Sequence, residues 1–271
     1  MIGKLFVCAT PIGNLGDASP RLLKVLSEVD AIAAEDTRRT GKLLSHFGIK
    51  TRLISYHEIN EASRARELVE KMQGGSVLAL VSDGGMPLIS DPGYRVVRAA
   101  IDAGLTVEVI PGPSSITAAL VVSGLPSARF VFEGFLPRKA GDLKRRLESL
   151  AEEERTLVFF EATNRIAATL TAIRDVLGER PAAVARELTK IYEEVIRGTL
   201  SEIIEQLEES PPKGEAVIVL GGREGTVLQL EQAVERAKAL VEEGATKSKA
   251  AGSAASQFDV KRRDIYERLL D

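Results

Sequence analysis

Leu5-Phe6-Val7-Cys8-Ala9-Thr10-Pro11-Ile12-Gly13-Asn14-Leu15-Gly16-Asp17 is a short apolar run that breaks on a proline and two glycines. An apolar run of this length bounded by turn residues predicts a buried strand, Leu5–Ala9. The same event recurs twice. Val77–Val81 runs into Ser82-Asp83-Gly84-Gly85-Met86-Pro87, then Ser90-Asp91-Pro92-Gly93, and Thr106–Ile110 runs into Pro111-Gly112-Pro113-Ser114-Ser115. Two further strands, Ala31–Ala34 and Arg52–Ser55, alternate with helices over Pro20–Glu28, Arg38–His46, Ala62–Gln73 and Tyr94–Ala103. Gly48 and Gly104 stand where helix C-caps belong. Strand and helix in alternation predict an α/β fold with a mostly parallel sheet. In such sheets ligands bind beyond the carboxyl ends of the strands, where these three loops lie.

Beyond Pro113 the strands crowd together. Helix Ser114–Val122 is followed by strands Arg129–Glu133, Thr156–Phe160, Ala182–Glu187, Glu193–Arg197 and Ala216–Leu220. Helices are predicted at Gly141 to about Leu150, Arg165–Leu177 and Ser201–Leu207. The crowding predicts a second α/β domain with a mixed sheet. From Thr226 a charged amphipathic helix runs to Glu243 and stops at Gly244. Ala245–Phe258 is small and polar, and Asp259–Leu270 reads as another helix with Asp259 as its N-cap. The expected organisation is a first domain over 1–112, a second over 113–222, and a helix-turn-helix-like tail over 226–271.

Composition bounds the function. The chain has 271 residues, 36 Lys+Arg against 39 Asp+Glu, a net charge of −3, and 44% hydrophobic residues. That is enough apolar matter for a packed core and excludes a disordered chain. It also excludes a uniformly basic nucleic-acid protein, so a polyanionic partner needs local positive patches. The lone Cys8 sits in the first apolar run and reads as a buried small hydrophobe in a reducing compartment. No apolar stretch reaches the roughly 20 residues of a spanning helix. The expectation is a cytoplasmic protein with no membrane partner. Two histidines and one cysteine make no zinc-type cluster, so no metal site is assigned.

The loops carry the chemistry. No G-x-G-x-x-G follows the first strand, and no phosphate-binding G-x-x-x-x-G-K-[ST] is present. Gly84 and Gly85 allow close backbone approach to a ligand, and Asp83 can accept from a ligand hydroxyl or amine. Asp91 before Pro92 reads as a helix N-cap with proline in the first turn. Ser114 and Ser115 arrive at a helix N-terminus, whose free N–H groups attract a carboxylate, unless Ser114 caps the helix itself. Three such loops on one rim suit a small ligand held largely by backbone atoms.

These residues resemble a known family. Ala9 through Asp17, Ala34-Glu35-Asp36-Thr37-Arg38, Ser55-Tyr56-His57-Glu58, Val81-Ser82-Asp83 through Gly93, Pro111-Gly112-Pro113-Ser114, Phe132-Glu133-Gly134-Phe135-Leu136-Pro137 and Arg186-Glu187-Leu188-Thr189-Lys190 are similar to the motifs of the ribosomal RNA small subunit methyltransferase I family. That family lies in the tetrapyrrole methylase (class III) superfamily, and the resemblance covers about residues 3–222. It implies two α/β domains with a cofactor cleft between them. It also implies S-adenosylmethionine as methyl donor, and 2′-O-methylation of a cytidine ribose at the decoding centre of 16S rRNA, in free rRNA or the assembled 30S subunit. A homodimer is implied as well. Carried over by motif, Pro11, Asp83, Met86, Ser114, Ser115, Glu161 and Ala216 should contact the cofactor. The chain departs from the family in having Gly84-Gly85-Met86-Pro87 for Ala-Gly-Thr-Pro, and Ala162-Thr163-Asn164-Arg165 for Ser-Pro-His-Arg. The second change removes a histidine, and with it a base at that position.

A ribose hydroxyl attacks a methyl carbon well only when aligned and relieved of its proton. Asp17, Glu35, Asp36, His57, Glu58, Glu187 and Lys190 are candidate bases, with Glu35 and Asp36 first because paired carboxylates raise one another's pKa. Asp36 or Thr37 can equally cap the next helix. Phosphate contacts are expected from Arg38, Arg39 and Lys42, and from Arg138, Lys139, Lys144, Arg145 and Arg146. The tail adds Lys247, Lys249, Lys261, Arg262 and Arg263. With 4% aromatic residues and no Trp, extensive base stacking is not expected. Two other readings stay open on the sequence: a methylase acting on a tetrapyrrole, and a non-catalytic RNA-binding assembly factor.

Overall fold

The computed structural model describes residues 3–209, 214–223, 227–258 and 260–270. The first half is built from β1 (Lys4–Cys8), α1 (Pro20–Glu28), β2 (Ala31–Ala34), α2 (Thr37–His46), β3 (Leu53–Ser55), α3 (Glu61–Gln73), β4 (Val77–Val81), α4 (Tyr94–Asp102) and β5 (Thr106–Ile110). Its strands form one sheet in the order β3-β2-β4-β1-β5, and every pair is parallel. Alternation along the strands sends successive side chains to opposite faces. Leu5, Val7, Leu78 and Leu80 pack under α3 and α4 through Leu68, Met72, Val96 and Ala100. Cys8, Ile32, Ala79 and Val81 pack under α1 and α2 through Leu22, Leu26, Leu43 and Leu44. Helices on both faces explain why the central strands β2 and β4 read as unbroken apolar runs.

The strand order sets the ligand site. After β1 the chain crosses to β2 on one side, and after β4 it crosses to β5 on the other. The two adjacent strands β1 and β4 therefore release their loops in opposite directions, which opens a crevice at their carboxyl ends.

The second half contains α5 (Ser115–Ser123), β6 (Phe130–Phe135), α6 (Ala140–Glu148), β7 (Thr156–Ala162), α7 (Ile166–Leu177), β8 (Pro181–Arg186), β9 (Glu194–Thr199), α8 (Leu200–Glu209) and β10 (Glu215–Leu220). Its sheet runs β6-β7-β10-β8-β9, with β6 and β7 parallel and the other pairs antiparallel. The expected mixed sheet is present. Helices α6, α7 and α8 cover one face, and α5 covers the other through Ile116, Ala119 and Leu120. Ile12, from the loop after β1, packs into the α5 side of this core.

Three helices follow: α9 (Val227–Glu242), α10 (Lys247–Phe258) and α11 (Arg262–Arg268). Helix α10 corrects the reading of Ala245–Phe258 as merely small and polar. Ala250, Ala251 and Ala254 are buried against Ala233 and Ala237 of α9, so small side chains make the interface by letting the helices approach closely. Asp259, read as an N-cap, lies outside the described residues.

Asp91 is also corrected. Helix α4 begins at Tyr94, with Gly93 at its N-cap. The capping carboxylate is Glu61, whose Oε1 accepts from Gly93 N at 3.0 Å and Arg95 N at 3.2 Å. Gly93 has φ +143°, and a Cβ there would lie 2.7 Å from Leu88 Cδ1, so only glycine fits this entry.

Candidate active site

A cleft of about 680 Å³ opens at the carboxyl ends of β1 and β4, within the size range of small-molecule sites. Its walls are the three glycine/proline loops of the first half together with the ends of β7, β8 and β10. Thr10 and Gly85 exchange backbone hydrogen bonds of 2.9 and 3.0 Å, which ties the β1 and β4 loops into one rim. Gly85 has φ +85°.

Pro11, Asp83, Met86, Ser114, Ser115, Glu161 and Ala216 all line this cleft. Glu161 and Ala216 face each other across the β7–β10 ladder. The Glu161 carboxylate itself is buried and engaged, accepting from Thr169 Oγ1 at 2.6 Å and Ala162 N at 2.9 Å. The Glu161 carboxylate is therefore committed within the chain, with Arg165 also 3.4 Å away. Ser114 sits at the N-cap of α5 but makes no capping hydrogen bond with its side chain. The first N–H groups of α5 are thus left for a ligand oxygen.

Asp83 is held from behind by the loop after β2. Its Oδ1 accepts from Asp36 N at 3.0 Å, its own N–H meets Glu35 Oε2 at 3.4 Å, and Arg39 lies 3.5 Å from Oδ2. Burial, followed by the charge of Asp83, holds the Glu35 carboxyl above the usual range, but Glu35 is not among the lining residues. Asp36 caps α2 through Arg38 N at 2.8 Å and binds the Arg38 guanidinium at 2.7 Å. Those hydrogen bonds hold its carboxyl well below the usual range, which makes it a poor proton acceptor. His57 is engaged by Asn60 in its own loop, at 2.9 and 3.2 Å. Of the seven candidate bases, Glu187 and Lys190 line the cleft, joined to each other at 2.9 Å.

Asp91 is the carboxylate that sequence reading assigned elsewhere. It lines the cleft, and burial pushes its carboxyl up to about 6, with the charge of Glu35 next and Asp83 and Glu215 adding to it. The Ser82 hydroxyl nearby pulls the other way, though its geometry completes no hydrogen bond among the described residues. The only sequence signal was a second aspartate in the same glycine/proline loop as Asp83.

The basic residues fall in separate places. Arg39 lines the cleft, Arg38 is paired with Asp36, and Lys42 is exposed on α2. Arg138 lines a smaller cavity beside Phe135 and Arg165, and Lys139 is exposed at the start of α6. Arg145 pairs with Asp142, and Arg146 donates to Glu133 at 2.7 Å. Cys8 is buried and its thiol is pushed up to about 12 by that burial, so it is inert packing. Among the described residues, no helix is long and apolar enough to cross a membrane.

Comparison with known proteins settles the family. The model of the Tetrapyrrole (Corrin/Porphyrin) Methylases matches residues 4–204. A ribosomal RNA small subunit methyltransferase I of Synechocystis sp. is 46% identical over 274 residues, covering 100% of this chain and 98% of its own. The chain belongs to the ribosomal RNA small subunit methyltransferase I family. Another member, from Xylella fastidiosa, is 48% identical over 97% of this chain and 98% of its own. Solved structures share the fold at lower identity. Diphthine synthase matches with a TM-score of 0.60 at 17% identity, over 81% of this chain and 90% of its own. A Thermus thermophilus uroporphyrin-III C-methyltransferase complexed with S-adenosyl homocysteine matches at 0.56 and 21%, over 80% and 96%. Methyltransferases of this family use S-adenosylmethionine.

The cleft fits that donor. Asp83, Asp91, Glu187 and Glu215 give a negative lining that suits a sulfonium and an ammonium group. The uncapped start of α5 suits a carboxylate. Gly84 lets a ligand reach the rim where a Cβ would stand 3.4 Å from Pro11 O. The buried hydroxyl of Ser82, unpaired among the described residues, belongs to the same loop.

Proposed function

We propose that this chain methylates the ribose 2′-oxygen of a cytidine at the decoding centre of 16S rRNA. The observation that carries it is the convergence of the three family loops on one cleft, in a chain 46% identical over its whole length to a ribosomal RNA small subunit methyltransferase I. When bound, S-adenosylmethionine supplies an electrophilic methyl group on a sulfonium. Pro11, Asp83, Met86, Ser114, Ser115, Glu161 and Ala216, which line the cleft, would hold it.

Asp91 takes the proton of the attacking hydroxyl. Its carboxyl, pushed up to about 6, is ionised at neutral pH yet basic enough to accept a proton. Glu35 acts indirectly, through Asp83 and through its charge on Asp91. Arg39 and Lys42 near the rim, with Arg138, Lys139, Arg145 and Arg146 on the flank, supply cations for the RNA backbone. Phosphate contacts of this kind position the substrate without reading sequence. The chain divides into units at 1–112, 113–222 and 226–271, works as a homodimer, and acts in the cytoplasm on 16S rRNA or the 30S subunit.

Incubation with labelled S-adenosylmethionine and, separately, 30S particles, naked rRNA and a precorrin tests this. Label on the ribosomal substrates is expected. Label on the macrocycle alone, or binding of RNA with no cofactor affinity, overturns it.

A further inference from the structure

Beyond Glu187, which joins the negative lining of the cleft, the turn between β8 and β9 carries features that the methyl-donor site does not use. Glu187 and Thr189 both lie in the left-handed region, at φ +50° and +68°, although neither is glycine. Such backbone is held only where its surroundings over-determine it, and it concentrates at functional sites. Here Lys190 N donates to Glu187 O at 2.9 Å, Thr189 N to Glu193 Oε2 at 2.6 Å, and Glu193 N to Lys190 O at 3.1 Å. The stem of Lys190 lies across Gly13 so closely that a Cβ there would stand 2.6 Å from Lys190 Cγ. The turn is thereby pressed against the β1 loop, and Lys190 lines the cleft with its ammonium 2.9 Å from Glu187. Thr189 Oγ1 is buried beside Gly13 with no hydrogen-bond partner among the described residues. Next along the chain, Ile191 is 94% and Tyr192 74% exposed. The turn so displays a cation inside the cleft and, two residues on, an exposed aromatic ring.

We propose that this turn grips a nucleotide beside the methyl-accepting ribose, with Lys190 meeting a phosphate and Tyr192 stacking on an unpaired base. This rests on the rRNA reading above and names the element that holds the RNA. A ribose in structured RNA enters a cleft only if its nucleotide leaves the stack, and an aromatic face then stands in for the neighbouring base. Lys190 exchanges its carboxylate partner for a phosphate that brings charge of the same sign. Tyr192 is the most exposed of the four tyrosines. The grip thus supplies one stacking platform in a protein otherwise poor in aromatic residues.

Steady-state methylation of 30S subunits by Tyr192→Ala, Tyr192→Phe and Lys190→Met tests the grip, alongside S-adenosylhomocysteine calorimetry and size-exclusion chromatography. Tyr192→Ala is expected to raise the KM for RNA about 10-fold or more. Its kcat should stay within about twofold, with S-adenosylhomocysteine affinity unchanged, and Tyr192→Phe should restore KM because stacking needs the ring alone. Lys190→Met should lower the slope of log affinity against log salt by about one. An unchanged KM in Tyr192→Ala overturns the proposal. So does a change of oligomeric state, which makes the turn a subunit contact, or a loss of cofactor affinity, which makes it part of the donor site. A wild-type protein that methylates no rRNA defeats the rRNA reading instead. Direct binding of a single-stranded oligoribonucleotide, with and without Tyr192→Ala, then reads the grip on its own.

Discussion

Thr10 and Gly85 exchange both backbone hydrogen bonds, at 2.9 and 3.0 Å, and so fasten the loop after β1 to the loop after β4. Without that tie the two loops would leave the crevice in opposite directions, as the strand order dictates. The left-handed φ of +85° at Gly85 is what turns its N–H and C=O toward Thr10. A Cβ at Gly85 would meet nothing closer than Ile12 Cγ2 at 3.5 Å, so the demand there is conformational rather than spatial.

Gly85→Ala should therefore destabilise the fold by about 1–2 kcal/mol, the cost of left-handed backbone for an L-residue. It should also weaken S-adenosylhomocysteine binding more than Ala substitutions outside the rim. Denaturant melts and calorimetry on the same protein check both halves. Unchanged affinity with full loss of stability would separate the tie from the site.

Asp83→Ala should weaken S-adenosylhomocysteine binding by about 10-fold or more, as expected when a charge-assisted hydrogen bond is removed. It also frees Asp36 N and removes the partner of Arg39, so the β2 loop should loosen without global unfolding. Calorimetry and amide exchange at Asp36 report the two effects. Native affinity in a folded variant would remove Asp83 from the donor site.

Asp91 carries a pH signature of defined sign. Its folded carboxyl is raised to about 6, so the folded state binds more protons than the unfolded state between about pH 4 and 6. Stability contributed at this residue therefore falls as pH rises through that window and is flat above it. Asp91→Asn should be more stable than wild type at pH 7 by about 1–2 kcal/mol, after allowance for partial solvent screening, and no more stable near pH 4. Its methyl transfer should be lost, while wild-type kcat rises through about pH 6 and then levels. A variant with full activity, or with the opposite stability trend, contradicts the role.

Tyr56 is fully buried, donates to Glu61 Oε1 at 3.0 Å and accepts from Val96 N at 3.3 Å. Glu61 in turn caps α4. Tyr56→Phe leaves both neighbours short of a partner and should cost about 1–3 kcal/mol. Cofactor affinity should change little, because neither Tyr56 nor Glu61 lines the cleft. Chemical denaturation and calorimetry decide it.

The middle of the first sheet was legible because β2 and β4 are buried on both faces, so Ala31–Ala34 and Val77–Val81 announce themselves as apolar runs with the observed bounds. The rim was legible because glycine and proline cluster in its loops, although Leu88 and Ser90 also adopt left-handed backbone there. What escaped was set by long-range contacts. Helix α10 hides among alanines and serines because its interface with α9 needs small residues, not large apolar ones. Asp91 read as a cap because Pro92 follows it, whereas the cap of α4 comes from Glu61, 32 residues earlier than Gly93. Asp36 read equally as base or cap, and only its bonds to Arg38 decide for the cap. The exposure of Tyr192 belongs to a turn whose strained residues no local propensity predicts.

Transfer of a methyl group to a ribose oxygen of small-subunit rRNA, in the cleft at the carboxyl ends of β1 and β4, is read out by nucleoside mass spectrometry of 30S rRNA after reaction with wild-type protein and S-adenosylmethionine, with Asp83→Ala as control. The expected new nucleoside is 2′-O-methylcytidine, absent with the variant. A base-methylated nucleoside, or no new nucleoside while a tetrapyrrole is methylated under the same conditions, would contradict it.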